Sequence, residues 1–207
     1  MKKLNLEQKI AGGISLIFDP FIISTWGFIL LLCSPFYFST FLPFQAKLFI
    51  LSIVFVSTFL IPVITMGLLK YFFRNGINFL NRKDRLLLFL ITAVSYYIGY
   101  SFLKQMIFFS PFKIFLISAA ITILLLLLVS SKWKISVQTA GIGGLTGIYL
   151  ALCFRLSLNA FFPVCLLFFI CGIIGTSRLI LKKHTPAQVY AGFLLGFVVN
   201  FVIIMYL

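Results

Sequence analysis

Acidic side chains are nearly missing from this chain: 3 Asp and Glu stand against 17 Lys and Arg among 207 residues, a formal net charge of +14. Charged residues of either sign make up only 10% of the sequence, whereas 62% is hydrophobic. Soluble domains carry about a quarter charged residues, so a water-soluble fold is excluded. The basic residues form short islands between apolar runs and lack the interleaved aromatics that stack on bases, which excludes nucleic acid as a partner. Topology, anionic headgroups and phosphate ligands account for that charge instead. The four cysteines, Cys33, Cys153, Cys165 and Cys171, all fall inside apolar runs with no disulfide or zinc spacing, and read as small buried residues. The start of the chain lacks a small-residue cleavage site after an apolar core, so no cleavable leader is expected. Linkers and low-complexity segments are absent, and residues 1–207 read as a single integral membrane domain. There is no inverted repeat and almost no intramembrane charge, which argues against a transporter.

What remains is a series of long hydrophobic stretches. Seven spans are expected, at about 21–41, 46–73, 86–109, 112–130, 139–154, 161–176 and 189–207, with an amphipathic lead-in over 10–20. A spanning helix needs about 17–25 apolar residues, so the fifth and sixth must extend into their flanking loops. Only helices satisfy their own backbone in lipid without closing into a barrel. The expected fold class is therefore all-α, a polytopic membrane helix bundle. Seven spans place the N-terminus and the loops 74–85, 131–138 and 177–188 on one side. Of the 17 basic residues, all but Lys47, Lys104, Lys113 and Arg155 fall on that side. The positive-inside rule puts it in the cytoplasm and the C-terminus across the membrane. Ala140, Gly141, Gly143, Gly144 and Gly147, and the pair Gly192 and Gly196, have the spacing that lets helix backbones pack closely.

Chemistry is confined to three polar islands on that one side. They are Asn81-Arg82-Lys83-Asp84-Arg85, then Lys132-Trp133-Lys134-Ile135-Ser136-Val137-Gln138, then Ser177-Arg178-Leu179-Ile180-Leu181-Lys182-Lys183-His184 running on to Gln188. The last holds the only histidine. Each island opens a following apolar span, and cations beside helix N-termini make an anion site. Arginine offers a two-pronged phosphate contact and lysine a point charge. The competing reading for Arg82, Lys83, Arg85, Lys182 and Lys183 is a topology signal, and for His184 a solvated loop side chain.

This arrangement resembles the type 2 phosphatidic acid phosphatase superfamily, the membrane relatives of vanadium haloperoxidases. Its third signature, Ser-Arg-x5-His, is matched in register by Ser177, Arg178 and His184. The run His184-Thr185-Pro186-Ala187-Gln188-Val189-Tyr190-Ala191-Gly192 is similar to small bacterial members. Their second signature, Lys-Ile-Ser-x-His before a glycine-rich helix, is met by Lys134-Ile135-Ser136-Val137-Gln138. The first signature is reduced to Arg85, with Arg82 or Lys83 nearby and Leu86 in place of a proline.

The resemblance implies a six-helix core over about 46–207 plus one additional N-terminal span, a multi-pass bacterial inner-membrane location, no metal or other cofactor, and lipid phosphates or diphosphates as ligands. His184 would be the nucleophile. Arg178, Ser136, Arg85, Arg82, Lys83 and Lys134 would hold phosphate. Two departures stand out. Gln138 replaces the histidine that protonates the leaving group, and Gln188 replaces the aspartate that orients the nucleophile. Losing an orienting carboxylate costs about 10⁴ in rate in a serine triad, and losing acid catalysis roughly 10² to 10⁴. The expectation is a membrane protein that binds a lipid phosphate or diphosphate headgroup with impaired catalysis. The alternatives are an active phosphatase working through phosphohistidine, which would favour a diphosphate with its good leaving group, and a non-catalytic subunit of a larger membrane complex.

Overall fold

A computed structural model describes residues 6–72, 82–105, 110–159 and 161–207. Every regular element among them is helical: α1 (Leu6–Ile17), α2 (Pro20–Cys33), α3 (Tyr37–Thr40), α4 (Phe44–Phe55), a π turn (Val56–Leu60), α5 (Ile61–Phe72), α6 (Arg82–Lys104), α7 (Ser110–Ser130), α8 (Val137–Arg155), α9 (Phe161–Ile180) and α10 (Pro186–Tyr206). Among the described residues, six helices are long and apolar enough to cross a membrane: the continuous stretch Phe44–Leu69, and α6 to α10. The chain is a multi-pass helical membrane protein. The expected short spans did lengthen, α8 to 19 residues and α9 to 20.

The first expected span, 21–41, is not one helix. Proline cannot donate a backbone hydrogen bond and drives the residue before it out of the helical region. Pro20 therefore starts α2 and Pro35 follows its end. The 14 residues of α2 rise about 21 Å at 1.5 Å each, short of the roughly 30 Å of hydrocarbon. The lead-in is itself a helix, α1, and it meets α2 at a bend of 63°. Asp19 makes the corner, with its carboxylate accepting from the Phe21 N–H at 3.1 Å as the cap of α2.

The chain divides into two compact units, Met1–Ile23 with Lys134–Leu207, and Ser24–Trp133. In the second unit α6 packs along α7 and also touches the π turn, where Ser57 lies against Gly99. Phe28 stacks on Phe112 and meets Phe115 at a tilt of 59°. The Ser24 and Tyr96 hydroxyls share a hydrogen bond of 2.6 Å. Lys47 donates to the Leu32 carbonyl at the end of α2, and Arg85 to the Ser130 carbonyl at the end of α7.

The first unit holds the histidine loop. Its main contact is α8 along α10, and α1 lies on α9. A β-carbon at Gly143 or Gly147 would strike the Phe193 or Phe197 carbonyl, and one at Gly196 the Ala140 carbonyl. The glycines thus let the two backbones touch. Lipid supplies no hydrophobic drive for helix pairing, so close backbone packing carries the pairing. Both α8 and α9 end in Schellman turns. Leu158 N–H bonds to Cys153 O across Ser157, and Lys183 N–H to Arg178 O across Lys182. Ser157 and Lys182 each hold a φ of 51° in these turns. Arg155 then closes the unit's far end by donating to the Ile204 carbonyl of α10 at 2.9 Å.

Gly196→Ala should destabilise the protein by about 1–3 kcal/mol through overpacking against backbone, a drop of roughly 2–4 °C per kcal/mol in the thermal midpoint for a chain of this size. Gly172→Ala is the control, because nothing lies within 4 Å of its added carbon. Its midpoint in detergent should hold or rise.

Candidate functional site

The last turn of α9 carries Ser177 and Arg178. Ser177 is buried and spends its hydroxyl on the Ile174 carbonyl. The Schellman turn then folds the chain back, so that the Lys183 N–H meets the Arg178 carbonyl at 3.2 Å. A non-glycine residue in the left-handed region costs about 1–2 kcal/mol, and Lys182 bears that cost to make the reversal. Without it, His184 would point away along the axis of α9.

His184 immediately precedes the cap of α10. Thr185 and Gln188 form a capping box with Pro186 at the first helical position. In it the Gln188 Oε1 accepts from the Thr185 N–H at 3.1 Å, so this oxygen is fixed facing the loop. His184 Nδ1 lies 3.2 Å from the same Oε1. An amide oxygen only accepts, so this contact calls for a proton on Nδ1, and the ring also bonds to the Lys134 backbone.

The entry to α8 joins this group through α10. Ser136 N–H donates to the Gln188 carbonyl at 3.3 Å. Ser136 occupies the N-cap position of α8 in an extended conformation without capping it. Its hydroxyl is fully buried and has no hydrogen-bond partner among the described residues, and the same holds for Arg178 Nε. Buried donors without partners are rare and costly in folded proteins. An open cleft of about 620 Å³ lies over the loop, lined by Lys134, Leu179, Lys182, Lys183, His184, Thr185, Pro186 and Gln188.

Charge in the cleft is of one sign. Burial pushes the His184 imidazole down to about 4, and the Arg178 and Lys134 cations push the same way against hydrogen bonds to Gln188 and to the Lys134 backbone. At neutral pH the ring is uncharged. Burial also holds the Lys183 ammonium below its ordinary value, helped by Arg178 and Lys134 and opposed by Asp19. Among the described residues, no three His, Cys, Asp or Glu side chains gather as a metal site.

The structure therefore brings together His184, Gln188, Arg178, Ser136 and Lys134. Gln138 is committed to α1: its Nε2 donates to the Ser15 carbonyl at 2.7 Å, and its Oε1 accepts from the Ser15 hydroxyl at 3.2 Å. Arg178 donates to that same hydroxyl at 2.7 Å. The third cationic island belongs to the other unit, where Arg85 is engaged by Ser130. Arg82 and Lys83 open α6, their side chains lie outside the described residues, and so does Asn81.

Two residues of this site were not expected from the sequence, Ser15 and Asp19. Asp19 attracts both Arg178 and Lys183. Its signal was available: it is one of only three acidic residues and it precedes a proline. Ser15 has a weaker one, sitting with Ala11 on the small-residue face of an amphipathic segment. Compared with protein-family models, curated proteins and solved structures, the chain matches none.

Because His184 is the sole imidazole, its titration can be followed without ambiguity by NMR. Gln188→Glu places a carboxylate on Nδ1, which favours the charged ring. The His184 pKa should rise from about 4 to 6.5 or above, and a value that stays low would show that position 188 does not face the ring. The wild type has the opposite linkage. Its folded value lies below the ordinary 6.5, so the unfolded chain binds more protons between these limits. That contribution to stability is complete above pH 6.5 and is lost as pH falls toward 4.

Proposed function

We propose that this chain binds the phosphate of a lipid headgroup and does not turn it over. The pair of buried, unpartnered donors supports this most directly: the Ser136 hydroxyl and Arg178 Nε lie beside residues that line an open, uniformly basic cleft. A phosphate has enough acceptor oxygens to satisfy both and still meet Lys134 and Lys183 at the rim. The resemblance to the type 2 phosphatidic acid phosphatase superfamily points to the same ligand class, a phosphomonoester or diphosphate on a lipid. Turnover would need a proton for the leaving oxygen, and the amide of Gln138 has none to give. It would also need charge behind the nucleophile, and Gln188 brings a neutral oxygen.

A second reading, phosphohistidine turnover at His184, draws on one observation. Nδ1 faces an acceptor and the ring is uncharged at neutral pH, and a histidine must be uncharged to act as a nucleophile.

Full-length protein in detergent should bind dodecyl phosphate and phosphatidate. Arg178→Gln should weaken that binding by about 10- to 100-fold, as expected for a charge-assisted hydrogen bond of about 1.5–3 kcal/mol. Release of inorganic phosphate from phosphatidate or a polyprenyl diphosphate should not exceed the His184→Ala background. Absence of binding would refute the proposal, and release that His184→Ala abolishes would establish the second reading.

A further inference from the structure

We propose that α1 is a built-in occupant of this phosphate site, a plug that a phosphate-bearing ligand must displace. The inference rests on the headgroup-binding reading above and adds how access is controlled.

Ser15 makes three hydrogen bonds to the two residues that matter. Its hydroxyl accepts from Arg178 at 2.7 Å and donates to the Gln138 Oε1 at 3.2 Å. Its carbonyl accepts from the Gln138 Nε2 at 2.7 Å. The hydroxyl oxygen thus stands where a phosphate oxygen would meet the guanidinium. Asp19, at the corner after α1, supplies the negative charge that a ligand would otherwise bring, since it attracts Arg178 and Lys183.

The identity of residue 138 fits this role. A carboxamide carries its donor and its acceptor side by side on one edge. That edge matches the carbonyl and hydroxyl of a single serine. The two nitrogens of an imidazole diverge and cannot span them. Gln138 is thus a latch for α1.

The plug lies along α9, with only Ala11 and Ser15 buried and Leu6, Ile10, Leu16 and Ile17 each more than half exposed. The neighbouring bend at Asp19 and Pro20 allows α1 to swing without unwinding α2. Segments with few buried contacts open at the lowest cost. A phosphate dianion outcompetes a neutral hydroxyl for a guanidinium, because hydrogen bonds between charged groups are about twice as strong. The latch therefore lowers apparent affinity by the fraction of time the plug is in place.

The test titrates the full chain in detergent with dodecyl phosphate and, separately, with inorganic phosphate. Ser15→Ala removes the hydroxyl from Arg178 and should tighten binding about 5- to 10-fold. Ser15→Asp places a carboxylate on the guanidinium and should weaken it at least 10-fold, on the scale of one charge-assisted hydrogen bond. A merely structural serine would move both variants the same way. Hydrogen exchange over residues 6–17 should accelerate when wild type is saturated. Release by inorganic phosphate identifies a free-phosphate ligand, release by dodecyl phosphate alone identifies a lipid headgroup, and either supports the plug. Equal affinity of wild type and Ser15→Ala, or unchanged exchange at saturation, overturns the plug while the binding site stands. No binding by wild type or either variant overturns both.

Discussion

The close approach of α8 to α10 is the constraint on which the site depends. Ser136 opens α8 and Gln188 lies in the first turn of α10, so the separation of the two helices sets whether their ends can meet. Gly143, Gly147 and Gly196 remove the side chains that would hold the backbones apart. The Ser136 N–H then reaches the Gln188 carbonyl, and the side chain of Gln188 reaches His184. In a membrane this contact cannot rely on expelling water. It rests on dispersion between backbones and on polar groups with no better partner. A packing motif in the apolar part of the molecule thereby fixes the position of its only imidazole.

The cations of this chain are satisfied in two different ways. Lys47, Arg85 and Arg155 each donate to a carbonyl in the last turn of a helix, at Leu32, Ser130 and Ile204. Those carbonyls lack intrahelical partners and carry the negative end of the helix dipole. This is a structural use of positive charge, and it suits a protein with almost no carboxylates to pair with. Arg178 departs from the pattern. It lies in the last turn of its own helix and donates to a serine hydroxyl from a distant segment, not to a main-chain carbonyl. A guanidinium with so weak a partner, near a basic cleft, is what the proposed anion site calls for.

Much of this was legible locally. Apolar run length located α4 to α10. Small residues four apart marked the α8–α10 seam, and the interval from Ser177 to His184 picked out the loop that forms the cleft. The pairing of His184 with Gln188 follows a four-residue spacing across a helix start. The unread parts are contacts between remote segments. Ser15 and Gln138 are 123 residues apart, and Ser15 and Arg178 are 163 apart. Neither pairing has a periodic signature, because each depends on the fold already formed. The run 21–41 misled for another reason. Its hydropathy is continuous although Pro35 interrupts its backbone, and averaging over side chains hides a missing N–H. Arg85 was read by sign alone, and charge does not say whether a guanidinium meets a phosphate or a main-chain carbonyl.

Binding and turnover draw on different members of such a site, and that separation makes the proposed reading coherent. Holding a phosphate requires cations and donors already in place, and Arg178, Lys134, Lys183 and Ser136 provide them. Catalysis requires interactions that strengthen only as the transition state forms. For phosphoryl transfer to an imidazole these are a negative group behind Nδ1, which stabilises the ring as it becomes cationic, and an acid beside the leaving oxygen. Positions 188 and 138 are where those two would act. Both are carboxamides: one accepts from the ring without charge, and the other is committed to Ser15. A ring pushed down to about 4 shows how little the surroundings favour positive charge there. The groups that grip the ground state are present, and the groups that would reward bond formation are absent. This division is what the proposed reading, retention of a headgroup without cleavage, requires of the site.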